Sequence, residues 1–432
     1  MVDLTIIFEY FVPLMNHKYV LRFDEICLKK GNREFFEARL YQNLKETISE
    51  YGKVRLFPKR NRVLIHSDLS IDEISPILQR ISGICDFSPV QVVKTDLPAI
   101  EQTLLQLARG MKPGPFKLEV KRSYKEFHMN SMQLASHLGS IIHTELKWPV
   151  DVNQPTHVLQ VDVHPHESYV YGERFNCMGG LPTGSSGKLI SLLSGGIDSP
   201  VASYKMISRG CRITYVHFHN EHEDGRDVKD KLLKIGAQLS KFQPSTKLYM
   251  IPFGNLQRAL IGFVPSKYRM IAYRRCMFRL ASIIRFKEKA SAYVTGDSVG
   301  QVASQTLRNL HVIHSVADGP VLSPLIGFNK NEIINIARNI NTFDLSILPY
   351  SDCCSFLVDE HPETAMNLTE MEDLEAKIPL ADMIDDTMKN TKIYTFKAGK
   401  QTSLRDKGIF LTNFAIREAC AGYPGRRINP SP

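Results

Sequence analysis

Ser194-Gly195-Gly196-Ile197-Asp198-Ser199-Pro200 lies between two apolar runs, and that placement decides the fold. Upstream, Leu189-Ile190-Ser191-Leu192-Leu193 reads as a buried strand. Downstream, Val201 to Arg209 reads as a short helix closed by Gly210. Ser199 suits the helix cap and Pro200 the first helical position. Cys211 to Phe218 reads as the next strand. Strand, glycine loop, helix and strand in this order aim free backbone N–H groups and a helix N-terminus at one spot, which suits a phosphate. Asp198 sets a carboxylate beside that spot, as a magnesium-bound phosphate needs. A P-loop needs a different spacing, ending in Gly-Lys-Ser or Gly-Lys-Thr. Gly187-Lys188 fails it, because Pro182 stands where the first Gly belongs and Leu189 where the Ser or Thr belongs.

From Lys188 to about Ala337, strand-like and helix-like segments alternate, which predicts a parallel α/β sheet with helices on both faces. Ligands in such sheets sit beyond the carboxyl ends of the strands. Ser194 to Ser199 marks one such end and Thr295-Gly296-Asp297-Ser298 another. The glycine-rich run from Gly179 to Gly187 reads as a linker.

Before the linker, the chain reads as two smaller α+β units. Lys18 to Phe23 is a strand, Arg33 to Ser49 a helix, Val54 to Phe57 and Arg62 to His66 strands, and Ile71 to Ile81 a helix. That order is ferredoxin-like. The second unit's elements begin near Phe87. They are a helix over Ala99 to Arg109, a strand over Phe116 to Val120, a helix over Ser131 to Leu146, and strands over His157 to Val163 and Ser168 to Glu173.

The 432 residues imply two to four domains. A net charge of +9 favours an anionic partner, most simply nucleic acid. Eight scattered cysteines without a C-x-x-C pair argue against a disulfide scaffold or a zinc ribbon, and fit a reducing cytoplasm. No apolar run reaches the length of a membrane span, and the start lacks the features of a signal peptide.

The glycine loop resembles the PP-loop of ATP pyrophosphatases. Further segments in chain order make the whole similar to the tRNA 4-thiouridine synthetases of the ThiI family. They are Arg22-Phe23-Asp24-Glu25-Ile26-Cys27-Leu28-Lys29 with Gly31-Asn32-Arg33, then Lys121-Arg122-Ser123, Gly179-Gly180-Leu181-Pro182, and the run from Thr295 to Thr306. The resemblance covers about Lys18 to Phe396. It implies an α/β multidomain chain with a ferredoxin-like unit, a THUMP RNA-binding domain and a doubly wound parallel-sheet PP-loop domain. The corresponding boundaries are an extension at 1–17, then 18–75, 76–176, 177–396 and a tail at 397–432. Residues after Pro379 are too few for the rhodanese domain that some relatives carry.

The resemblance further implies that ATP activates uridine 8 of tRNA and that a cysteine persulfide supplies sulfur. Adenine-nucleotide positions carry over to Leu192, Leu193, Ser194, Gly195, Gly196, Asp198, Ser199, His217, Phe218, Arg274, Gly296 and Gln305. Lys330 matches a lysine near the phosphates and Cys353 the sulfur-transfer cysteine. The chemistry of the ATP-activation step makes Asp198 the residue expected to hold Mg2+. Read without the family, Arg274 is a helix-face charge, Lys330 a solvated one, and Cys353-Cys354 a pair of small buried hydrophobes. Lys121, Arg122 and Lys125 form the expected tRNA-phosphate contact, with Tyr124 and Phe127 placed to stack on bases. A solvated charged face is the alternative there. The implied partners are tRNA, a cysteine desulfurase as persulfide donor and a thiamine-pathway sulfur carrier, with a homodimer left open. The rival functions are another PP-loop tRNA thiolase and a silent tRNA-binding module.

Overall fold

His17–Arg22 (β1) is buried on both faces. Tyr19 and Leu21 pack beneath two helices, Arg33–Ile48 (α1) and Ile71–Leu78 (α2). Val20 packs the other way, against Tyr169 and Tyr171 of a second sheet. This is why the strand shows no polar and apolar alternation. The computed structural model describes residues 15–220, 226–349, 358–406 and 408–409. The chain divides into two compact units, one ending at Leu181 and the other starting at Pro182.

The first unit holds two sheets. Val54–Lys59 (β2), Arg62–Ser67 (β3), Asp86–Pro89 (β4) and, much later, Phe175–Asn176 (β9) join β1 in the order β2-β3-β1-β4-β9. Between β4 and β9 the chain builds a second sheet from Gln91–Lys94 (β5), Phe116–Arg122 (β6), His157–Val163 (β7) and Glu167–Tyr171 (β8), ordered β5-β8-β7-β6. Leu97–Arg109 (α3) and Ser131–Leu146 (α4) cover it through Ile100, Leu104, Leu134, Leu138 and Ile142. Asp96 and Asn130 cap these helices with side-chain hydrogen bonds at 2.9 Å. The line expected between residues 75 and 76 falls inside α2, and β4 belongs to the first sheet.

Polar contacts join the two sheets around the Val20 cluster. Arg62 pairs with the buried Asp162, which also accepts a hydrogen bond from the Tyr171 hydroxyl at 3.0 Å. Lys59 Nζ lies 3.0 Å from Glu167 Oε1.

In the second unit, Lys188–Leu192 (β10), Arg212–His219 (β11), Thr246–Pro252 (β12), Ala292–Val294 (β13) and Val321–Leu322 (β14) run parallel in the order β14-β13-β10-β11-β12. The chain starts at β10, moves outward through β11 and β12, then returns to the other side of β10. That reversal opens a crevice beyond the ends of β10 and β13. Helices Asp198–Ser208 (α5), Arg226–Leu239 (α6), Gly254–Ile261 (α7), Arg269–Glu288 (α8), Leu307–His314 (α9) and Lys330–Asn339 (α10) accompany the strands. Lys392–Lys397 (β15) and Lys400–Arg405 (β16) add an antiparallel hairpin beside β12, so the sheet continues past residue 396.

Asp162 carries the polar part of the contact between the first two sheets. In an Asp162→Ala variant, Arg62 and Tyr171 lose their shared buried partner. Stability of the first unit should fall by about 3 kcal/mol in urea unfolding. An unchanged unfolding midpoint would show that the apolar cluster alone joins the sheets.

Candidate nucleotide site

β10 ends at Leu192, and the Leu193 N–H donates to the Val216 carbonyl of β11 at 2.8 Å. The chain then turns through Ser194, Gly195 and Gly196 into α5. The helix begins at Asp198, so Ser199 lies in its first turn and does not cap it. The Ser199 hydroxyl instead reaches back and accepts the Ser194 N–H at 2.9 Å. The Gly196 N–H donates to the Ser194 hydroxyl at 3.3 Å. Below the loop, the Ser203 hydroxyl donates to the Ser199 carbonyl at 2.9 Å and meets the Ser191 hydroxyl at 2.8 Å. This chain of hydroxyls ties the end of β10 to α5 and fixes the loop without a bulky side chain.

The opposite wall follows β13. A Cβ at Gly296 would stand 2.8 Å from the Ser199 nitrogen and 2.9 Å from the Asp198 carbonyl carbon. Only glycine lets the two strand ends approach this closely. Asp297 follows, 3% exposed. Arg274 of α8 donates to both its carboxylate oxygens at 2.8 Å, Gln305 donates at 3.1 Å, and the His314 imidazole lies 3.7 Å away. Burial raises the energy of the Asp297 charge, but the Arg274 guanidinium and the His314 and Thr295 side chains outweigh it. The carboxyl therefore stays ionised far below the usual carboxylate range.

Asp198 faces the crevice from the start of α5. Lys330 Nζ lies 2.6 Å from its Oδ1, and Gln301 donates to its Oδ2 at 3.0 Å. Lys330 opens α10, where Asn329 and Glu332 form a capping box. His217 is fully buried, with Nδ1 2.8 Å from the Leu193 carbonyl, and burial lowers its imidazole to about 4.

Leu192, Leu193, Ser194, Gly196, Asp198, Ser199, His217, Phe218, Arg274, Gly296 and Gln305 line one cavity of about 400 Å³. Gly195 is in the loop but not in that lining, and Lys330 reaches the site through Asp198. Met270, Met277, Asp297, Gln301, Val302 and Ser304 line it as well. Residues 270, 274 and 277 share one helical face, a spacing that marks them as neighbours. Asp297 and Gln301 lie within the Thr295 to Thr306 run.

Asp198 supplies one carboxylate beside the loop, which fits a magnesium ion completed by phosphate oxygens and water. Among the described residues, no group of three or more His, Cys, Asp or Glu side chains is placed to hold a metal by itself. Cys276 and Tyr273 are core residues, and burial pushes the Cys276 thiol up to about 12. Cys353, Cys354 and Cys420 lie outside the described residues.

In the first unit, Lys121 and Lys125 are exposed. Arg122 turns inward and donates to the carbonyls of Lys125, Phe127 and Met129 at 3.1, 2.9 and 3.0 Å. It shapes the loop that carries Lys125. Phe127 is buried in the second sheet's core, so the stacking role expected of it does not fit its position. No helix among the described residues is long and apolar enough to cross a membrane.

Three family profiles match in chain order. They are "ThiI ferredoxin-like domain" over residues 18–88, "THUMP domain" over 94–173 and "Thiamine biosynthesis protein (ThiI)" over 184–380. The chain is 35% identical over 377 residues to a probable tRNA sulfurtransferase of Moorella thermoacetica, covering 87% of this chain and 97% of that one. A probable tRNA sulfurtransferase of Acetivibrio thermocellus is 36% identical over 389 residues, covering 88% and 99%. Among solved structures, a 4-thiouridine synthetase–RNA complex with bound ATP superposes with a TM-score of 0.82 at 34% identity, covering 88% of this chain and 99% of that one. A Pyrococcus horikoshii structure shares the fold at a TM-score of 0.59 and 19% identity.

Gly296→Ala should displace the first turn of α5 and weaken ATP binding by about tenfold or more, a loss of at least ~1.4 kcal/mol, in calorimetric titration. Unchanged affinity would mean that this contact does not position the loop. His217 generates a pH dependence. Its folded value, about 4, lies below the ordinary 6.5, so in acid the unfolded chain takes up a proton that the folded chain refuses. Its contribution to stability is complete above about pH 6.5 and is lost as pH falls toward 4. A His217→Gln variant should show a shallower acid limb in unfolding experiments, and an identical limb would remove His217 from that response.

Proposed function

Because the chain belongs to the ThiI family of tRNA sulfurtransferases, we propose that it adenylates uridine 8 of tRNA with ATP and replaces the uridine O4 with persulfide sulfur, giving 4-thiouridine. The observation that carries this reading is the cavity at the strand reversal, where a glycine loop, a helix N-terminus, Asp198, Lys330 and Arg274 converge.

The N-terminus of α5, which opens at Asp198 beside the cavity, attracts the triphosphate. His217 is held neutral, and with Leu192, Leu193 and Phe218 it offers an uncharged wall suited to the adenine ring. In the first step the uridine O4 attacks the α-phosphorus, the bond to the β-phosphate oxygen breaks, and pyrophosphate leaves. Charge grows on the phosphate oxygens, and Arg274, oriented by Asp297, and Lys330 are the side chains suited to stabilise it. Asp198 would hold a magnesium ion, which when bound supplies further neutralisation of the leaving pyrophosphate. Lys330 now pairs with Asp198, so nucleotide entry exchanges that contact for phosphate.

In the second step the terminal sulfur of a Cys353 persulfide attacks C4. AMP leaves with the former O4, and the uridine is joined to Cys353 through a disulfide. A further thiol opens that bond and releases 4-thiouridine. A cysteine desulfurase is the proposed source of the persulfide. The basic net charge and the exposed Lys121 and Lys125 support tRNA as the acceptor.

The test combines purified protein, unmodified tRNA, Mg-ATP and a cysteine desulfurase with cysteine, then reads nucleosides by mass spectrometry. Wild type should give ATP-dependent 4-thiouridine. Cys353→Ala should keep tRNA binding and pyrophosphate release but lose the thiolated nucleoside. Asp198→Ala should lose pyrophosphate release. Full thiolation by Cys353→Ala would overturn the cysteine assignment, and tRNA binding without any pyrophosphate or product in wild type would favour a silent binding module.

A further inference from the structure

The chain leaves the first sheet through β4, builds the whole second sheet, and comes back through β9. The outgoing and returning segments are antiparallel, with Asp86 opposite Asn176 and Phe87 opposite Phe175. The phenyl rings of the second pair stack at 5.0 Å with 18° between their planes. Directly opposed side chains on one sheet face meet in this way. The ladder continues beyond the strand ends. The Cys177 N–H donates to the Cys85 carbonyl at 2.9 Å, and the Gly83 N–H donates to the Gly179 carbonyl at 2.8 Å. This register sets Cys85 opposite Cys177, two positions from the phenylalanine pair and so on the same face. Both cysteines are free and half-buried. The Cys85 N–H donates to the Arg22 carbonyl of β1 at 2.9 Å, so a single backbone hydrogen bond joins the two cysteines. Directly opposed residues of an antiparallel pair stand about 4.5–5.5 Å apart at Cα. A disulfide spans roughly 4.4–6.8 Å.

We propose that Cys85 and Cys177 are an oxidisable cross-strand pair that closes to a disulfide across the stem of the second sheet. With hydrogen peroxide as oxidant, one thiolate attacks a peroxide oxygen, the O–O bond breaks, and the leaving hydroxide takes up a proton as water. The resulting sulfenic acid is attacked by the second thiol, the S–S bond forms, and a second water leaves. Two thiols are oxidised and one peroxide is reduced.

Burial sets the character of this bond. Burial, with Asp86 and Asp24 nearby, pushes the Cys85 thiol up to about 11. Burial, Asp86 and the facing Cys85 push Cys177 up to about 12. The pair therefore rests protonated and reduced at neutral pH, and closes under sustained oxidant. None of this depends on the sulfur-transfer reading.

The experiment treats the full-length protein with hydrogen peroxide in mildly alkaline buffer, blocks remaining thiols with an alkylating agent, and digests without reduction. Mass spectrometry should find the Cys85 and Cys177 peptides joined. The unfolding midpoint should rise on oxidation in wild type and stay unchanged in both Cys85→Ser and Cys177→Ser. Alkylated Cys85 and Cys177 after oxidation, or either one joined to another cysteine such as Cys27, would overturn the assignment. Failure of 4-thiouridine synthesis would leave this result untouched, because the readout is the cross-link itself.

Discussion

The candidate nucleotide cavity depends on how closely the backbone at Gly296 approaches the first turn of α5. Two loops that follow non-consecutive strands have to meet there, and a single methyl group would touch the Ser199 nitrogen and the Asp198 carbonyl carbon. Because the approach is backbone to backbone, no rotamer change can relieve it. Everything polar in the site is referred to this contact. It sets Asp198 facing the crevice, within reach of Lys330 from α10 and Gln301 from the second loop. It also brings Asp297 to the cavity wall, where its carboxylate holds Arg274.

Electrostatics in the site is organised around two carboxylates with opposite surroundings. Asp297 is sealed off and satisfied by Arg274, Gln305 and the nearby His314. It is a fixed negative charge whose use is to orient the guanidinium. Asp198 is nearer the surface, and its Lys330 partner is almost half exposed. Exposed pairs of this kind are worth little and exchange readily. One carboxylate is thus locked in a buried pair and the other faces the open crevice, although both lie at strand ends of the same sheet.

Much of this was legible in the residues. The apolar run before Ser194, the paired glycines and the apolar run ending at Phe218 each obey a local rule, so the strand, loop and strand were readable at close to their observed ends. Other features required partners distant in the chain. Ser199 reads as a cap because serine usually caps, yet here its hydroxyl has a better acceptor role toward the Ser194 N–H. The importance of Asp297 comes from residues 274, 305 and 314, which no local pattern connects. Arg122 and Phe127 looked like an exposed recognition segment, because a basic and aromatic run reads the same whether its side chains point outward or fold back onto their own loop. A two-residue strand such as β9 carries no periodicity at all. It exists only because β4 offers it an edge.

The nesting of one sheet between β4 and β9 also fixes an order of events during synthesis. Chains emerge N-terminus first, and domains fold as units. The strands β1 to β4 and helices α1 and α2 can assemble while the second sheet is still being made. The fifth strand of the first sheet becomes available only after β5 to β8 have been translated. The N-terminal core must therefore wait with one edge open, and the act that closes that edge is the return of a chain segment from an already formed neighbour.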